Sequence, residues 1–134
     1  MKNVRIIGSG LIGTSIGLAL SGSDCAIEML DKDFSRSALA QSLVGSLPTG
    51  DPSLIILAVP TSALSEVIAA QYQLNPKSTF IDIASTKTKS QEIADSFPAF
   101  SERFCATHPM AGREIAGPES ARADLFQGRP WIYS

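Results

Sequence analysis

The sequence contains a single histidine, His108, in the run Ala106-Thr107-His108-Pro109-Met110-Ala111-Gly112, directly after an apolar stretch that reads as a strand. A neutral imidazole takes up a proton near neutral pH, so one at a strand end is a candidate general base. It is equally a candidate for a satisfied structural residue, and spacing alone does not separate the two. A second polar strand end, Asp82-Ile83-Ala84-Ser85-Thr86-Lys87, precedes it. If the two strands are neighbours, Ser85 and His108 share a crevice, where the hydroxyl could orient an imidazole or a substrate hydroxyl. Ser85 would also serve simply as the cap of a helix starting at Thr86.

A separate constellation lies at the beginning of the chain. Gly8-Ser9-Gly10-Leu11-Ile12-Gly13 fits G-x-G-x-x-G between an apolar strand and a helical pattern. Gly8 allows a tight turn, Gly10 lets backbone approach a pyrophosphate, and Gly13 lets helix pack closely on strand. The first helical residues, Leu11 and Ile12, then offer N–H groups and the positive end of the helix dipole to phosphates. Asp31, 18 residues past Gly13 at the end of the next strand, is placed to accept ribose hydroxyls and to repel a 2′-phosphate. The alternative for Asp31 is a solvated turn beside Lys32 and Asp33. NAD is the favoured cofactor, with NADP possible because Lys32 and Arg36 could meet a phosphate. Val59 and Pro60, in Ala58-Val59-Pro60-Thr61, end a further strand across from the glycine turn and complete the expected nucleotide site. An ordinary strand exit capped by Thr61 or Ser62 explains them equally well.

These groups must be carried by elements. Strand patterns at Val4 to Ile7, Ala26 to Leu30, Leu54 to Val59, Thr79 to Ala84, Phe104 to Thr107 and Trp131 to Tyr133 alternate with helical ones. The helical patterns are Ile12-Ile16-Leu20, Ser35 to Leu43, Leu64-Val67-Ile68, Thr86 to Phe97 and Glu119 to Phe126. The stretch from Val44 to Asp51, interrupted by Gly45, Pro48 and Gly50, holds at most a short strand. This order predicts a single α/β domain over residues 1–134, a Rossmann-type doubly wound, mostly parallel sheet with helices on both faces. Such sheets bind ligands at the carboxyl ends of their strands.

Composition narrows the function classes. The 134 residues are 44% hydrophobic with a formal net charge of −2, enough for one core and without the basic clustering of a nucleic-acid binder. No apolar run is long enough to span a bilayer, and Met1-Lys2-Asn3-Val4 leads directly into a strand, so a cytoplasmic location is expected. Cys25 and Cys105 read as reduced thiols beside strands, and one histidine with no Cys-x-x-Cys predicts no metal site.

The run His108-Pro109-Met110-Ala111-Gly112-Arg113-Glu114, with Gly117 and Leu125-Phe126-Gln127-Gly128-Arg129-Pro130-Trp131 after it, closely resembles the prephenate and arogenate dehydrogenase family of tyrosine biosynthesis. Gly10-Leu11-Ile12-Gly13-Thr14-Ser15, Ala58-Val59-Pro60 and Asp82-Ile83-Ala84-Ser85-Thr86-Lys87 are similar to that family's other landmarks. The resemblance implies an NAD(P)-dependent oxidative decarboxylation of prephenate or arogenate. It also implies His108 as the proton acceptor for the ring hydroxyl, Ser85 as its hydrogen-bonding neighbour and Glu114 as a guard at the entrance. Glu114 could equally be a first-turn helix acid. Lys87 and Arg113 read as solvated or phosphate-facing.

The resemblance further implies a C-terminal helical domain that closes the crevice, contributes arginines to the substrate carboxylates and forms the dimer; these 134 residues do not include it. Arg113, Arg122 and Arg129 are the nearby basic residues, and none matches a known carboxylate clamp. Expected consequences are nucleotide binding with weak turnover, and self-association or a homodimer through apolar surface near the last strand and Phe126. The alternative from another class is a non-catalytic dinucleotide-binding module or partner subunit. A β-hydroxyacid-type dehydrogenase fits less well, since nothing in that group resembles the histidine motif.

Overall fold

The computed structural model describes residues 2–45, 47–83, 87–97, 99–109, 118, 121–123 and 131–133. Its sheet consists of β1 (Lys2–Ile7), β2 (Cys25–Leu30), β3 (Leu54–Leu57), β4 (Thr79–Asp82), β5 (Phe104–Pro109) and β6 (Trp131–Tyr133). The helices are α1 (Leu11–Ser21), α2 (Phe34–Val44), α3 (Thr61–Leu74) and α4 (Lys87–Asp95), and a 3-10 turn at Phe100–Arg103 leads into β5. The strands lie in the order β2-β1-β3-β4-β5-β6. The first five are parallel, while β6 runs antiparallel to β5, with His108 opposite Ile132. This is the Rossmann-type sheet expected from the alternating pattern, with one reversed strand at its edge.

Alternation along the strands divides the core. Val4, Ile6, Ile27, Met29 and Ile56 pack with Ile16 of α1 and with Ala40 and Val44 of α2. Ile7, Ile55, Leu57 and Phe80 pack on the other face with Leu64 and Ile68 of α3, Ala94 of α4 and Phe100. Successive strand residues point to opposite faces, so near-continuous apolar strands such as Leu54–Leu57 are what two-sided coverage requires. Phe100, fully buried, joins Tyr72, Phe80, Phe97 and Phe104 in tilted and edge-to-face ring contacts. The tight turn into Phe100 places Ala99 in the left-handed region, at φ 63°.

One local expectation is sharpened and one is corrected. No strand forms among the described residues from Val44 to Asp51. Strand β2 is a sheet edge, and a side chain occupies the position a further strand would take. The Gln41 Oε1 accepts the Met29 N–H at 2.7 Å and its Nε2 donates to the Ile27 carbonyl at 2.9 Å. The helix expected from Glu119 to Phe126 does not include residues 121–123, which are non-helical. The Ala121 N–H closes a turn onto the Pro118 carbonyl, and the Arg122 N–H goes to the Ser15 hydroxyl at 3.0 Å instead of a carbonyl four residues back.

Among the described residues, the large exposed apolar side chains are Phe34, Leu39 and Leu43 of α2, Leu47 just beyond it, and Leu74 at the end of α3. The surface expected around Phe126 lies outside the described residues. No helix among the described residues is long and apolar enough to cross a membrane.

Candidate functional site

The chain leaves β1 through α1 to β2 on one flank of β1, and returns through α2, packed on the same face as α1, to β3 on the other flank. The switch point therefore lies between the carboxyl ends of β1 and β3, where open α/β sheets form a crevice. The ends are laced one residue beyond the strands: Gly8 N–H to Leu30 O at 2.8 Å, Ala58 N–H to Ile7 O at 2.7 Å, and Ile83 N–H to Leu57 O at 3.3 Å. A cleft of about 440 Å³ opens there, lined by Gly8 and Gly10, by Asp31, Lys32 and Arg36, and by Val59 and Pro60 among others.

The three motif glycines have different reasons to be glycine. Gly8 has φ +107°, and a Cβ on it would lie 2.1 Å from the Ala58 carbonyl oxygen; a Cβ on Gly13 would lie 2.0 Å from the Gly8 carbonyl oxygen. Those two are demanded by the close approach of turn, helix and neighbouring strand. Gly10 differs. Its φ is −82°, which any residue adopts, and a Cβ there would meet nothing within 4 Å. It is the N-cap of α1, no side chain caps it, and the first turn carries no acid. The α1 terminus thus faces the cleft with backbone donors and a positive dipole end, an arrangement suited to an anion. Gly17 serves packing, since a Cβ there would press on Val44 and Met29.

Asp31 is held from two sides. Its Oδ2 accepts the Ser9 N–H at 2.8 Å and its Oδ1 the Asp33 N–H at 2.9 Å. Each carboxylate oxygen keeps a second lone pair for a further donor. Asp33 in turn caps α2 by accepting from Ser35 and Arg36 N–H. Ser9, fully buried, also donates its hydroxyl to the Leu30 carbonyl at 3.1 Å. The solvated-turn alternative for Asp31 therefore does not describe its contacts. Sequence reasoning singled out Gly8, Gly10, Asp31, Val59 and Pro60, which line one cleft, while Leu11 and Ile12 stand in the first turn of α1. It missed Ser9 as the fastening of Asp31. It also missed Ser62, Ala63 and Val67 on the cleft wall, for which being in the first two turns after the switch strand is the only available signal.

The second half of the candidate site lies two strands further along. β4 and β5 are neighbours in register, with Asp82 opposite Ala106. The Thr107 hydroxyl donates to the Asp82 carbonyl at 2.9 Å in buried surroundings, fixing the residue before His108 against the end of β4. The backbone of His108 continues β5 past that point and pairs with β6. Ser85, Glu114, Arg113 and Arg129 lie outside the described residues, so the expected juxtaposition of Ser85 with His108 rests on the adjacency of β4 and β5. Arg122 is exposed on the segment docked against α1.

Comparison with known proteins places this arrangement. Residues 29–134 match the family model described as prephenate dehydrogenase, nucleotide-binding domain. The chain is 33% identical over 135 residues to the protein named probable prephenate dehydrogenase NovF of Streptomyces niveus, covering 98% of this chain and 37% of that protein. It is 32% identical over 143 residues to the prephenate dehydrogenase of Lactococcus lactis, covering 98% and 40%. Its backbone superposes on the prephenate dehydrogenase of A. aeolicus, solved in complex with hydroxyphenyl propionate and NAD+. The TM-score is 0.80 at 25% identity, over 100% of this chain and 50% of that one. The chain thus spans half or less of the length of these relatives. On the family match, and with the same switch-point sheet beneath it, the chain belongs to the prephenate dehydrogenase family.

Proposed function

We propose that the chain forms the dinucleotide-binding half of a dehydrogenase that takes NAD and oxidatively decarboxylates prephenate or arogenate. The observation that carries this reading is Gly10. The protein's own packing and backbone do not require a glycine there, whereas a pyrophosphate drawn against the α1 terminus does. Gly8 and Gly13 shape the turn, Leu11 and Ile12 contribute first-turn N–H groups, and Val59 and Pro60 form the opposite wall. Asp31, fixed by two backbone donors, receives the ribose hydroxyls. Its charge favours NAD, while Lys32 and Arg36 on the same cleft make NADP a weaker second ligand.

NAD held in this crevice would supply a hydride acceptor for the carbinol carbon of the substrate ring. Loss of that hydride makes the hydroxyl strongly acidic, and His108 takes its proton. Ser85 orients that hydroxyl, and Glu114 stands at the entrance. Carbon dioxide then leaves the ring, which becomes aromatic. The reading carries a cytoplasmic location, a small-molecule partner, and a domain boundary beyond the strand that Trp131 begins. It also carries a helical dimerisation domain supplied by sequence outside these residues.

Calorimetric titration with NAD and NADP tests the first half, with NAD expected to bind more tightly. Oxidation of prephenate and arogenate tests the second, measured on the chain alone and on the chain fused to the remainder of the L. lactis relative. Failure to bind either nucleotide removes the site assignment. Tight NAD binding with no oxidation by either protein would leave a non-catalytic nucleotide module instead.

A further inference from the structure

Of the described residues after the histidine motif, Pro118 and Ala121 are packed into the protein. Pro118 is buried, and Ala121 packs against Leu11 in the first turn of α1. Ser15, one turn further along the same helix, is fully buried, and its hydroxyl oxygen accepts the Arg122 N–H at 3.0 Å across 107 residues of sequence. A buried hydroxyl that accepts a backbone N–H from a distant part of the chain is a fixed point. At the other end, the Thr107 hydroxyl on Asp82 and the pairing of β5 with β6 fix the chain through Pro109.

We propose that Ser15 is a positioning residue for the dehydrogenation. Through Arg122 N–H it ties the return of the histidine segment to the helix whose first turn faces the nucleotide. Both ends of the stretch carrying Arg113 and Glu114 are thereby anchored, one on the sheet and one on α1. Because the anchor and the phosphate-facing donors share one helix, nucleotide binding and the order of Ala121 and Arg122 are coupled, and coupling of this kind is reciprocal. The substrate-side effect rests on the dehydrogenase reading, whereas the anchor itself does not.

Amide exchange on the 134-residue chain tests the anchor directly. In Ser15→Ala, exchange at Ala121 and Arg122 is expected to rise by about tenfold, the loss of one hydrogen bond, while β1 and β3 amides hold. Arg122→Pro deletes the donor from the exposed side and leaves α1 intact, so it should free Ala121 to the same degree. Arg122→Ala keeps the N–H and should loosen Ala121 less than Arg122→Pro does. Saturating NAD should slow exchange at Arg122 in the parent and not in Ser15→Ala. Unchanged exchange in Ser15→Ala, or an Arg122→Ala as loose as Arg122→Pro, overturns the proposal. In the fused protein, Ser15→Ala should raise KM for the ring substrate about five- to tenfold, a modest misplacement on the scale of positioning effects. The KM for NAD should stay within about twofold; equal losses in both would make Ser15 an ordinary packing residue and overturn the proposal. If the parent fusion never turns over, the dehydrogenase reading fails, and the exchange results still decide the anchor.

Discussion

At the residue scale, Gly10 and its two neighbours in the motif make opposite predictions. Gly10→Ala should fold, with Tm lowered by no more than about 5 °C, the usual cost of replacing a capping glycine. Its NAD affinity should nonetheless fall by at least about tenfold, because a methyl group now stands where a phosphate approaches. Gly13→Ala should lose stability outright, since its Cβ would sit 2.0 Å from a backbone oxygen. Thermal melts and calorimetry on the two variants separate ligand demand from packing demand, and a Gly10→Ala that binds NAD normally would contradict the proposed site. Asp31→Asn should shift the NAD-to-NADP affinity ratio towards NADP by about tenfold or more, with the charge beside the ribose removed. The motif itself was legible in the sequence, because glycine spacing and an acid at the next strand end are local signals. What made Asp31 rigid was not. The Ser9 N–H that holds it is 22 positions away, and a backbone donor carries no mark in the sequence.

At the element scale, periodicity located each helix and strand that pairs within the parallel sheet. Continuous apolar strands and four-residue helical spacings have simple physical causes. The points left open or misread fall where a side chain replaced backbone pairing. Gln41 closes the β2 edge, and Ser15 takes the N–H that a helix through residues 121–123 would have used internally. Gln41→Leu should therefore cost about 2 kcal/mol, because it leaves the Met29 N–H and Ile27 carbonyl without their partner. Denaturant titration checks this, and a loss below about 0.5 kcal/mol would mean water replaces the amide freely. The same variant should aggregate more readily, since the exposed edge becomes a template for another strand. The reversal of β6 was not legible either: three apolar residues give a strand but no direction.

At the scale of the whole molecule, the two halves of the proposed site sit on one sheet but are separable by mutation. His108→Asn should abolish oxidation in the fused protein while changing NAD affinity by no more than a few-fold, because His108 stands on β5, away from the β1–β3 switch point. Parallel loss of NAD binding would assign His108 a structural part. The general location of both halves followed from strand order, which the alternating pattern dictates. Their joining by Ser15 and Thr107 depends on contacts that only the folded chain brings together.

The order β2-β1-β3-β4-β5-β6 has one more result, for synthesis on the ribosome. Once β1 and β2 have paired, β3 takes the other side of β1, and each later strand joins the edge formed by the one made just before it. Nothing must be pried open to admit a strand that emerges late. The growing sheet can be consolidated in the order in which it is translated, as N-terminal units generally are. The nucleotide crevice is then complete on the emerging chain before the histidine strand has been made.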